Sequence, residues 1–281
     1  AFFAIEAKLG NTPIYLDLRK LGRDSMDRLH QVIPLPMRMF ESVGAIQNGR
    51  FVDRIEWSSA APVGRPGIWV ERDMRTSLPG LWACGEAATA AAVVTGLAAA
   101  GTSGDRAGRD AASYARSADS LRPDPEQEEA LRAFAYAPLE RNSGVEPDTV
   151  VLAVQDNVIP YDILFMRRAD RLARARQNIE AVQAELVPTL KAHDPHYLRM
   201  AHEAMSLALT AELHLKSAEL RTESRVALRE DYPLTDNDNW LKWIIIRQQP
   251  GGLEFSTRDV PVHNYPIKPK PGKQLAYPWQ W

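Results

Sequence analysis

The chain has 281 residues, of which 45% are hydrophobic and 25% are charged, and its formal net charge is -2. This near-neutral charge argues against a protein that binds nucleic acid or an anionic membrane surface through bulk charge. The single cysteine, Cys84, excludes an intrachain disulfide and any zinc or iron–sulfur site built from several cysteines of this sequence. No signal peptide and no apolar run of 18 residues is visible, so we expect a globular protein of a reducing compartment, the cytoplasm.

The first part of the chain mixes short strands with helices. Residues 1–65 contain a short helix, the strand-like stretch PIYLDLRKL and the helical stretch SMDRLHQVI, and turn signals follow at QNGR and PVGRPG. Residues 66–118 contain two predicted buried strands, in GIWV and GLWACGE, and then a helix. A linker rich in proline and acidic residues follows and predicts a domain boundary.

The second part of the chain is predicted to be helical from about residue 125 to residue 229. Two apolar stripes at helical spacing indicate bundle helices. The first stripe contains Leu172, Ala175, Ile179, Val182 and Leu186. The second, after a break at HDPH, contains Leu198, Met205, Leu209, Leu213 and Leu220. The tail, residues 230–281, is rich in proline and aromatic residues and is expected to wrap over its own domain or a partner.

The end of the predicted strand GLWACGE carries an acid, Glu86, followed by a segment of small residues. An acid at the carboxyl end of a strand in an α/β sheet commonly accepts hydrogen bonds from ribose or ribityl hydroxyls. Gly96, Gly101 and Gly104 allow backbone to approach a flat ligand closely. A helix that begins near Thr102 or Ser103 would direct its free N–H groups at an electron-rich acceptor such as the edge of a reduced flavin. The alternative is a packed strand–turn–helix in which Glu86 is a solvated cap.

Three motifs resemble the flavoprotein subunits of succinate dehydrogenase and fumarate reductase. TSLPGLWACGEAA resembles their second FAD-contacting motif, RTESRVALREDYPLTDNDNWLKW resembles the signature of their helical domain, and PIYLDL resembles a strand of their substrate-capping domain. The three matches occur in the order of the family and span almost the whole chain. The sequence is therefore identified as the C-terminal half of a flavoprotein subunit of this superfamily.

This resemblance implies a fold of the class α/β plus α. It implies the C-terminal part of an α+β capping domain at residues 1–65 and the C-terminal part of a Rossmann-like FAD-binding domain at residues 66–118. A helical bundle domain would occupy residues 119–235, and an extended C-terminal tail would occupy residues 236–281. The FAD-binding domain would be incomplete.

The resemblance also implies FAD as the cofactor and names the residues that contact it. Gly85 and Glu86 correspond to the second FAD motif, where Glu86 would hold the ribityl or ribose hydroxyls. The backbone that would face the isoalloxazine lies in the next segment, at Gly101, Thr102, Ser103 and Gly104.

Two departures from the family pattern concern the substrate. In the succinate and fumarate enzymes a histidine precedes the turn that corresponds to the one before GIWV. The matching position in this sequence lies near Pro62. Their substrate-binding arginine corresponds to the neighbourhood of Ala99. Two groups that hold a dicarboxylate are therefore missing, so we do not expect dicarboxylate redox chemistry. GIWV and the stretch from WLKW onward are more similar to the alpha subunit of adenylylsulfate reductase and its relatives, which pair with an iron–sulfur subunit.

A larger departure is the missing first half of the FAD site. Members of the superfamily begin with a glycine-rich βαβ unit whose helix N-terminus holds the FAD pyrophosphate. Nothing in this sequence matches that motif, since GTSGDRAG lacks the preceding strand and the downstream acid. The chain also opens without an initiator Met. We expect the βαβ unit to come from residues that precede this sequence or from a separate polypeptide.

Several further arginines, histidines and the cysteine are candidates for a functional role. Arg65 lies in a Gly/Pro turn beside the expected flavin face, where its guanidinium would clamp an anionic substrate; the alternative is a solvated turn residue. Structural ion pairs are the favoured interpretation for three arginines on one predicted helical face, Arg221, Arg225 and Arg229. A surface that faces solvent or a partner is the favoured interpretation for Arg167, Arg171 and Arg174. His193, His196 and His202 lack the spacing of a metal site, and Cys84 is expected to be an inert, buried packing residue.

Two classes of function follow from these observations. The favoured one is an FAD-dependent oxidoreductase subunit that passes electrons between a substrate and an iron–sulfur partner, and that works only with the missing half. The alternative is a non-catalytic scaffold or assembly subunit of a flavoprotein complex. No metal site and no nucleic-acid partner is predicted in either case.

Overall fold

The computed structural model describes residues 2–57, 66–88, 96–119 and 122–275. It is a mixed helix-and-sheet structure that is 53% helical. The chain divides into two units: one contains residues 1–62, 143–190 and 199–281, and the other contains residues 63–142 and 191–198. The division into four domains along the sequence stays a prediction.

The start of the first unit is a small helix-and-hairpin assembly. It contains α1 (Phe2–Lys8), β1 (Tyr15–Leu16), α2 (Arg23–Val32), α3 (Pro34–Ser42), β2 (Ile46–Gln47), β3 (Arg50–Phe51) and β4 (Ile55–Glu56). β2 pairs with β3 and β1 with β4, both antiparallel. Asn48 and Gly49, with φ values of 51° and 72°, form the turn that the QNGR signal predicted, because a two-residue hairpin turn of this type needs positive φ at both positions. Met26, Met37, Ile46 and Phe51 form the core.

The second unit contains the segment that the sequence assigned to two buried strands. Neither GIWV nor GLWACGE forms a strand, and that prediction is wrong for the described residues. Instead, an antiparallel bridge joins Arg75 to Trp82, and a 3-10 turn follows at Gly85–Ala88. A strand is ordered by the hydrogen bonds of its neighbours, and the neighbours that a parallel sheet would supply are not among these residues. The unit also contains α4 (Leu97–Ser117), α5 (Pro125–Glu140) and the first residues of α9 (Pro195–Leu220).

The helices of the first unit enclose its largest core. They are α6 (Pro147–Val158), α7 (Tyr161–Leu164), α8 (Ala169–Ala181) and the first unit's part of α9 (Pro195–Leu220), with β5 (Met166–Arg167) between α7 and α8. The first predicted apolar stripe is confirmed: Leu172, Ala175, Ile179 and Val182 are buried and Leu186 packs against them.

The second predicted stripe is wrong except at Met205, which packs against the core. The buried face of α9 consists of Ala201, Ala204, Ala208, Ala211, Leu215 and Ala218, whereas Leu209 is 45% exposed and Leu220 is 39% exposed. These alanines and Leu215 belong to the core of the first unit. Leu209 and Leu220 lie outside it.

The end of the first unit is built from short strands and one long hairpin. They are β6 (Leu228–Arg229), β7 (Leu234–Asp236), the short helix α10 (Asn237–Trp240), β8 (Lys242–Gln249), β9 (Gly252–Asp259) and β10 (Lys273–Leu275). β6 pairs with β5 in parallel, β8 with β9 antiparallel, and β10 with β7 antiparallel. Since α9 ends at Leu220, the predicted helix over residues 221–229 does not form.

Candidate functional site

The candidate site is the turn that carries Gly85 and Glu86 in the second unit. Gly85 has a φ of 60°, a conformation that favours glycine, and its N–H donates to the hydroxyl of Ser103 over 2.9 Å. That hydroxyl in turn donates to the carbonyl of Ala99 over 2.6 Å, and the Ser103 residue is only 7% exposed. Ser103 therefore fastens the turn to the first two turns of α4, while Glu86 is exposed.

The start of α4 corrects one detail of the sequence analysis. The helix begins at Leu97, not near Thr102 or Ser103, and its N-cap is Gly96 with a φ of 91°. The hydroxyls of Thr102 and Ser103 bond back to carbonyls four residues earlier, which places both residues inside the helix. The backbone N–H groups without an intrahelical acceptor are thus those of the first turn, from residue 97 onward. The N-cap residue is a glycine and therefore has no side chain to cap this end of the helix.

The small residues of α4 leave its backbone open on one side. A Cβ built at Gly96, Gly101 or Gly104 would meet no heavy atom within 4 Å. A flat group could therefore approach the backbone closely at these positions, as expected from the sequence. An exposed carboxylate beside an open helix N-terminus fits a ligand that has both hydroxyls and an electron-rich edge, which describes a flavin with its ribityl chain.

A second set of contacts, which the sequence analysis missed, holds the GLWACGE segment on α4. The indole N–H of Trp82 donates to Asp110 over 2.8 Å, and the guanidinium of Arg75 binds both oxygens of the same carboxylate, one of them at 2.8 Å. These contacts, with Arg75 the larger cause and Trp82 the second, lower the pKa of Asp110. The Trp82 ring also packs edge-on against Tyr114, with centroids 5.4 Å apart. No spacing rule links these residues, since they are 28 to 35 positions apart.

Four further positions singled out in the sequence analysis remain. Arg65, the candidate substrate clamp, lies outside the described residues, as does Pro62. Ala99 lies in the first turn of α4. Cys84 is exposed, so the prediction of a buried packing residue is wrong; its neighbour Ala83, and not Cys84, belongs to the small core with Val70 and Ala88.

The three arginines predicted to form ion pairs do so, although they do not share a helical face. The side chain of Glu223, which is 0% exposed, accepts from Arg221 at 2.7 Å and from Arg225 at 2.7 and 2.9 Å. The N–H of Asp236 donates to the same carboxylate over 2.8 Å. We call these groups the Glu223 cluster.

Arg229 has a separate structural role. It is 3% exposed and pairs with both oxygens of Asp231, at 3.0 and 2.9 Å. Its Nη1 donates to the carbonyls of Ala218 and Arg221 at the end of α9. A cation at this position is stabilised by the helix dipole, so Arg229 closes the C-terminus of α9.

The arginines predicted to form a solvent or partner surface, Arg167, Arg171 and Arg174, are only partly exposed. Arg174 is exposed, but Arg171 pairs with Glu230, and the Arg167 guanidinium lies 3.0 Å from Nε2 of His214. Burial, and secondarily the charge of Arg167, lowers the pKa of His214 to about 4. Within the described ranges no group of three or more His, Cys, Asp or Glu side chains is placed to hold a metal ion.

The comparisons with known proteins all give flavoproteins of one superfamily. Residues 156–274 match the family described as "Fumarate reductase flavoprotein C-term". The chain is 25% identical over 265 residues to the L-aspartate oxidase of Streptomyces coelicolor. The aligned region covers 90% of this chain and 43% of that protein. The fold of this chain is similar to that of the FrdA chain of E. coli quinol fumarate reductase, with a TM-score of 0.74 and 19% sequence identity. The match covers 94% of this chain and 48% of that one. The fold is also similar to that of Mycobacterium smegmatis Sdh1 in complex with UQ1 (TM-score 0.68, 22% identity, 90% and 44%).

These findings confirm the resemblance to the C-terminal part of the superfamily flavoproteins, and FAD is the cofactor that the family and the L-aspartate oxidases bind. The similarity to the adenylylsulfate reductase branch is not shown. The chain spans less than half the length of the relatives described above. Among the described parts of the chain, none of the helices is long and apolar enough to cross a membrane.

Proposed function

We propose that the chain, which corresponds to the C-terminal part of the succinate dehydrogenase and fumarate reductase flavoproteins, forms the flavin-side half of the FAD site of an oxidoreductase. The observation that carries this proposal is the pair of hydrogen bonds made by the Ser103 hydroxyl, which accepts from the Gly85 N–H and donates to the Ala99 carbonyl. It fixes the Gly85–Glu86 turn against the open first turns of α4, and so brings a carboxylate and a helix N-terminus to one place.

Each part of this arrangement has a role in the proposal. The Glu86 carboxylate accepts hydrogen bonds from ribityl or ribose hydroxyls of FAD. The N–H groups at the start of α4, backed by the helix dipole, stabilise negative charge at the electron-rich edge of the flavin. Gly85, Gly101, Thr102, Ser103 and Gly104 form the backbone beside it. Bound FAD supplies the two-electron redox chemistry, and this chain binds and orients it.

The remaining parts of the enzyme come from outside this sequence. The FAD pyrophosphate needs a glycine-rich βαβ unit, which we propose is supplied by a preceding segment or a separate polypeptide. Electrons pass to or from an iron–sulfur partner, and the assembly works in the cytoplasm. Succinate and fumarate are not its substrates, because neither a histidine near Pro62 nor an arginine near Ala99 is present to hold a dicarboxylate. Arg65 is the proposed clamp for an anionic substrate.

Substitution of Glu86 tests the site. In the complete assembly, Glu86→Ala should lower FAD occupancy, because the lost hydrogen bonds to the ligand are worth about 1–3 kcal/mol, or roughly a 5- to 150-fold weaker affinity. FAD content is measured from the flavin absorbance band, and far-UV circular dichroism should be unchanged.

Glu129→Ala is the matched control, since Glu129 is an exposed acid of the same unit, on α5. Full FAD retention in the Glu86 variant would contradict the assignment. An assembly that contains the chain but no flavin at all would favour the alternative, a non-catalytic scaffold.

A further inference from the structure

The segment at residues 80–86, which contains the proposed FAD turn, lies along one side of α4. Near its beginning, the Trp82 ring packs edge-on against Tyr114, with ring centroids 5.4 Å apart. Near its end, the Gly85 N–H donates to the Ser103 hydroxyl over 2.9 Å. The segment therefore runs antiparallel to the helix, and its end, which carries the acid, lies nearest the start of α4.

The residues on this side of α4 follow one another at helical spacing. Ser103, Ala107, Asp110 and Tyr114 are separated by four, three and four positions, so they share one side of the helix. Ser103 and Ala107 are each 7% exposed. Ser103 and Asp110 hold the segment by hydrogen bonds and lie about 10 Å apart along the helix axis. Two attachments at this spacing fix where the segment lies along α4.

Asp110 provides the second attachment through its carboxylate, and its side chain is 20% exposed. One oxygen accepts from Nη2 of Arg75 over 2.8 Å, and the other accepts from the Trp82 indole over 2.8 Å and from Nε of Arg75. An antiparallel bridge joins Arg75 to Trp82, so the carboxylate holds both arms of the turn between them. Hydrogen bonds depend steeply on distance and angle, whereas burial of an apolar ring is non-directional. The carboxylate therefore defines the position of Trp82 more closely than the contact with Tyr114 does.

We propose that Asp110 is a positioning residue of the flavin site. It holds Trp82, which lies four positions before Glu86, and so sets where the Glu86 carboxylate lies relative to the N-terminus of α4. This inference rests on the proposed function, in which that carboxylate and the helix N-terminus bind FAD together. Asp110 acts through Glu86 and not by its own contact with FAD. A binding group that is already held in place loses less conformational freedom when the ligand binds, so release of Trp82 lowers the affinity for FAD.

A double-mutant cycle on FAD affinity, measured in the complete assembly, tests this role. Asp110→Asn keeps the size of the side chain but replaces an acceptor oxygen with an NH2 group, so at least one of its three hydrogen bonds is lost. The dissociation constant for FAD, measured by titration of the FAD-depleted assembly and followed by flavin fluorescence, should rise about fivefold. In the Glu86→Ala background the same substitution should change this constant less than about twofold, because the group that Asp110 positions is then absent.

Two further variants complete the experiment. Trp82→Phe keeps a ring beside Tyr114 and removes only the indole N–H donor, so it should give the same pattern in the cycle, including where Asp110→Asn does not fold. Asp105→Asn is the matched control, because Asp105 is the other aspartate of α4 and pairs with Arg109, with both side chains more than half exposed. The control should change the dissociation constant less than about twofold. Far-UV circular dichroism should be unchanged in all the variants that are compared.

The cycle separates a positioning role from a structural one. Equal effects of Asp110→Asn with and without Glu86 would refute the positioning role, because they would show that Asp110 only stabilises the unit. An unchanged affinity in both backgrounds would refute it as well. Full FAD affinity in the Glu86→Ala variant would contradict the proposed site itself, and the positioning role with it. A loss in Glu86→Ala together with an additive or absent effect of Asp110→Asn would refute only the positioning role.

Discussion

Replacement of Glu223 by glutamine tests how strongly the buried Glu223 cluster stabilises the protein. The substitution keeps the size of the side chain but removes its charge. Two arginines and one backbone N–H, which together donate four hydrogen bonds at 2.7–2.9 Å, then face an amide. Because an amide NH2 group is itself a donor, at least one of these bonds is lost.

The expected cost follows from the burial of each partner. Removal of one member of a buried ion pair costs about 3–5 kcal/mol, because it leaves the other charge unpaired. Arg221 and Arg225 are 25% and 33% exposed, so water partly solvates their charges after the change. We therefore expect a loss of about 2–4 kcal/mol in the free energy of unfolding.

Urea denaturation and hydrogen exchange measure this loss. The midpoint for the unit that contains Glu223 should fall, with an unchanged m value, and the Asp236 amide should exchange faster in the same proportion. Glu203→Gln is the control, because Glu203 pairs with Arg199 on the exposed side of α9 with both side chains more than half exposed; that variant should cost less than about 1 kcal/mol. Equal losses in the two variants would refute the reasoning.

Three further predictions concern pH, substrate and assembly. His214 has a folded-state pKa of about 4, below its unfolded value of about 6.5. It therefore contributes stability that is present at neutral pH and is lost as the pH falls from 6.5 towards 4. In urea titrations at several pH values, His214→Gln should remove up to about 3 kcal/mol of this dependence of the unfolding free energy on pH. The complete assembly should show no robust succinate oxidation or fumarate reduction with a dye acceptor or donor, and turnover of either would show that other groups, such as Arg65, hold the dicarboxylate. Residues 1–281 expressed alone should not give an FAD-loaded monomer in sedimentation and absorbance measurements, and such a monomer would refute the need for a complement.

Local patterns predicted the parts of the fold that depend on neighbours in sequence. The QNGR turn forms because Asn48 and Gly49 tolerate positive φ, and Leu172 and Ile179 are buried because seven residues make nearly two helical turns. Ion pairs were also predicted for Arg221 and Arg225, and both pair with Glu223, which is two positions from each of them. The helical face assigned to these arginines was wrong because Arg229 closes α9 and the chain turns away at residue 221.

Parts that depend on distant partners were not predictable from one sequence. Hydropathy ranks leucine above alanine, so it assigned the buried face of α9 mainly to the wrong residues, whereas five of the six buried residues of this helix are alanines. Residues 67–70 and 81–86 have the apolar character of buried strands, but a strand forms only beside another strand. Trp82 instead finds its partners in Asp110 and Tyr114, which no sequence pattern connects to it.

The start of α4 connects the proposed FAD site with the proposed complementary polypeptide. A helix N-terminus carries up to four N–H groups that need acceptors, and α4 begins at an exposed glycine, which has no side chain to cap them. Leu97, the first residue of that helix, is 94% exposed, which is costly for a leucine in water. An anionic ligand would satisfy the N–H groups, and an apolar layer would cover the leucine. The FAD and the complementary polypeptide that we propose would supply these two things at the same helix end, so each should increase the affinity of the chain for the other.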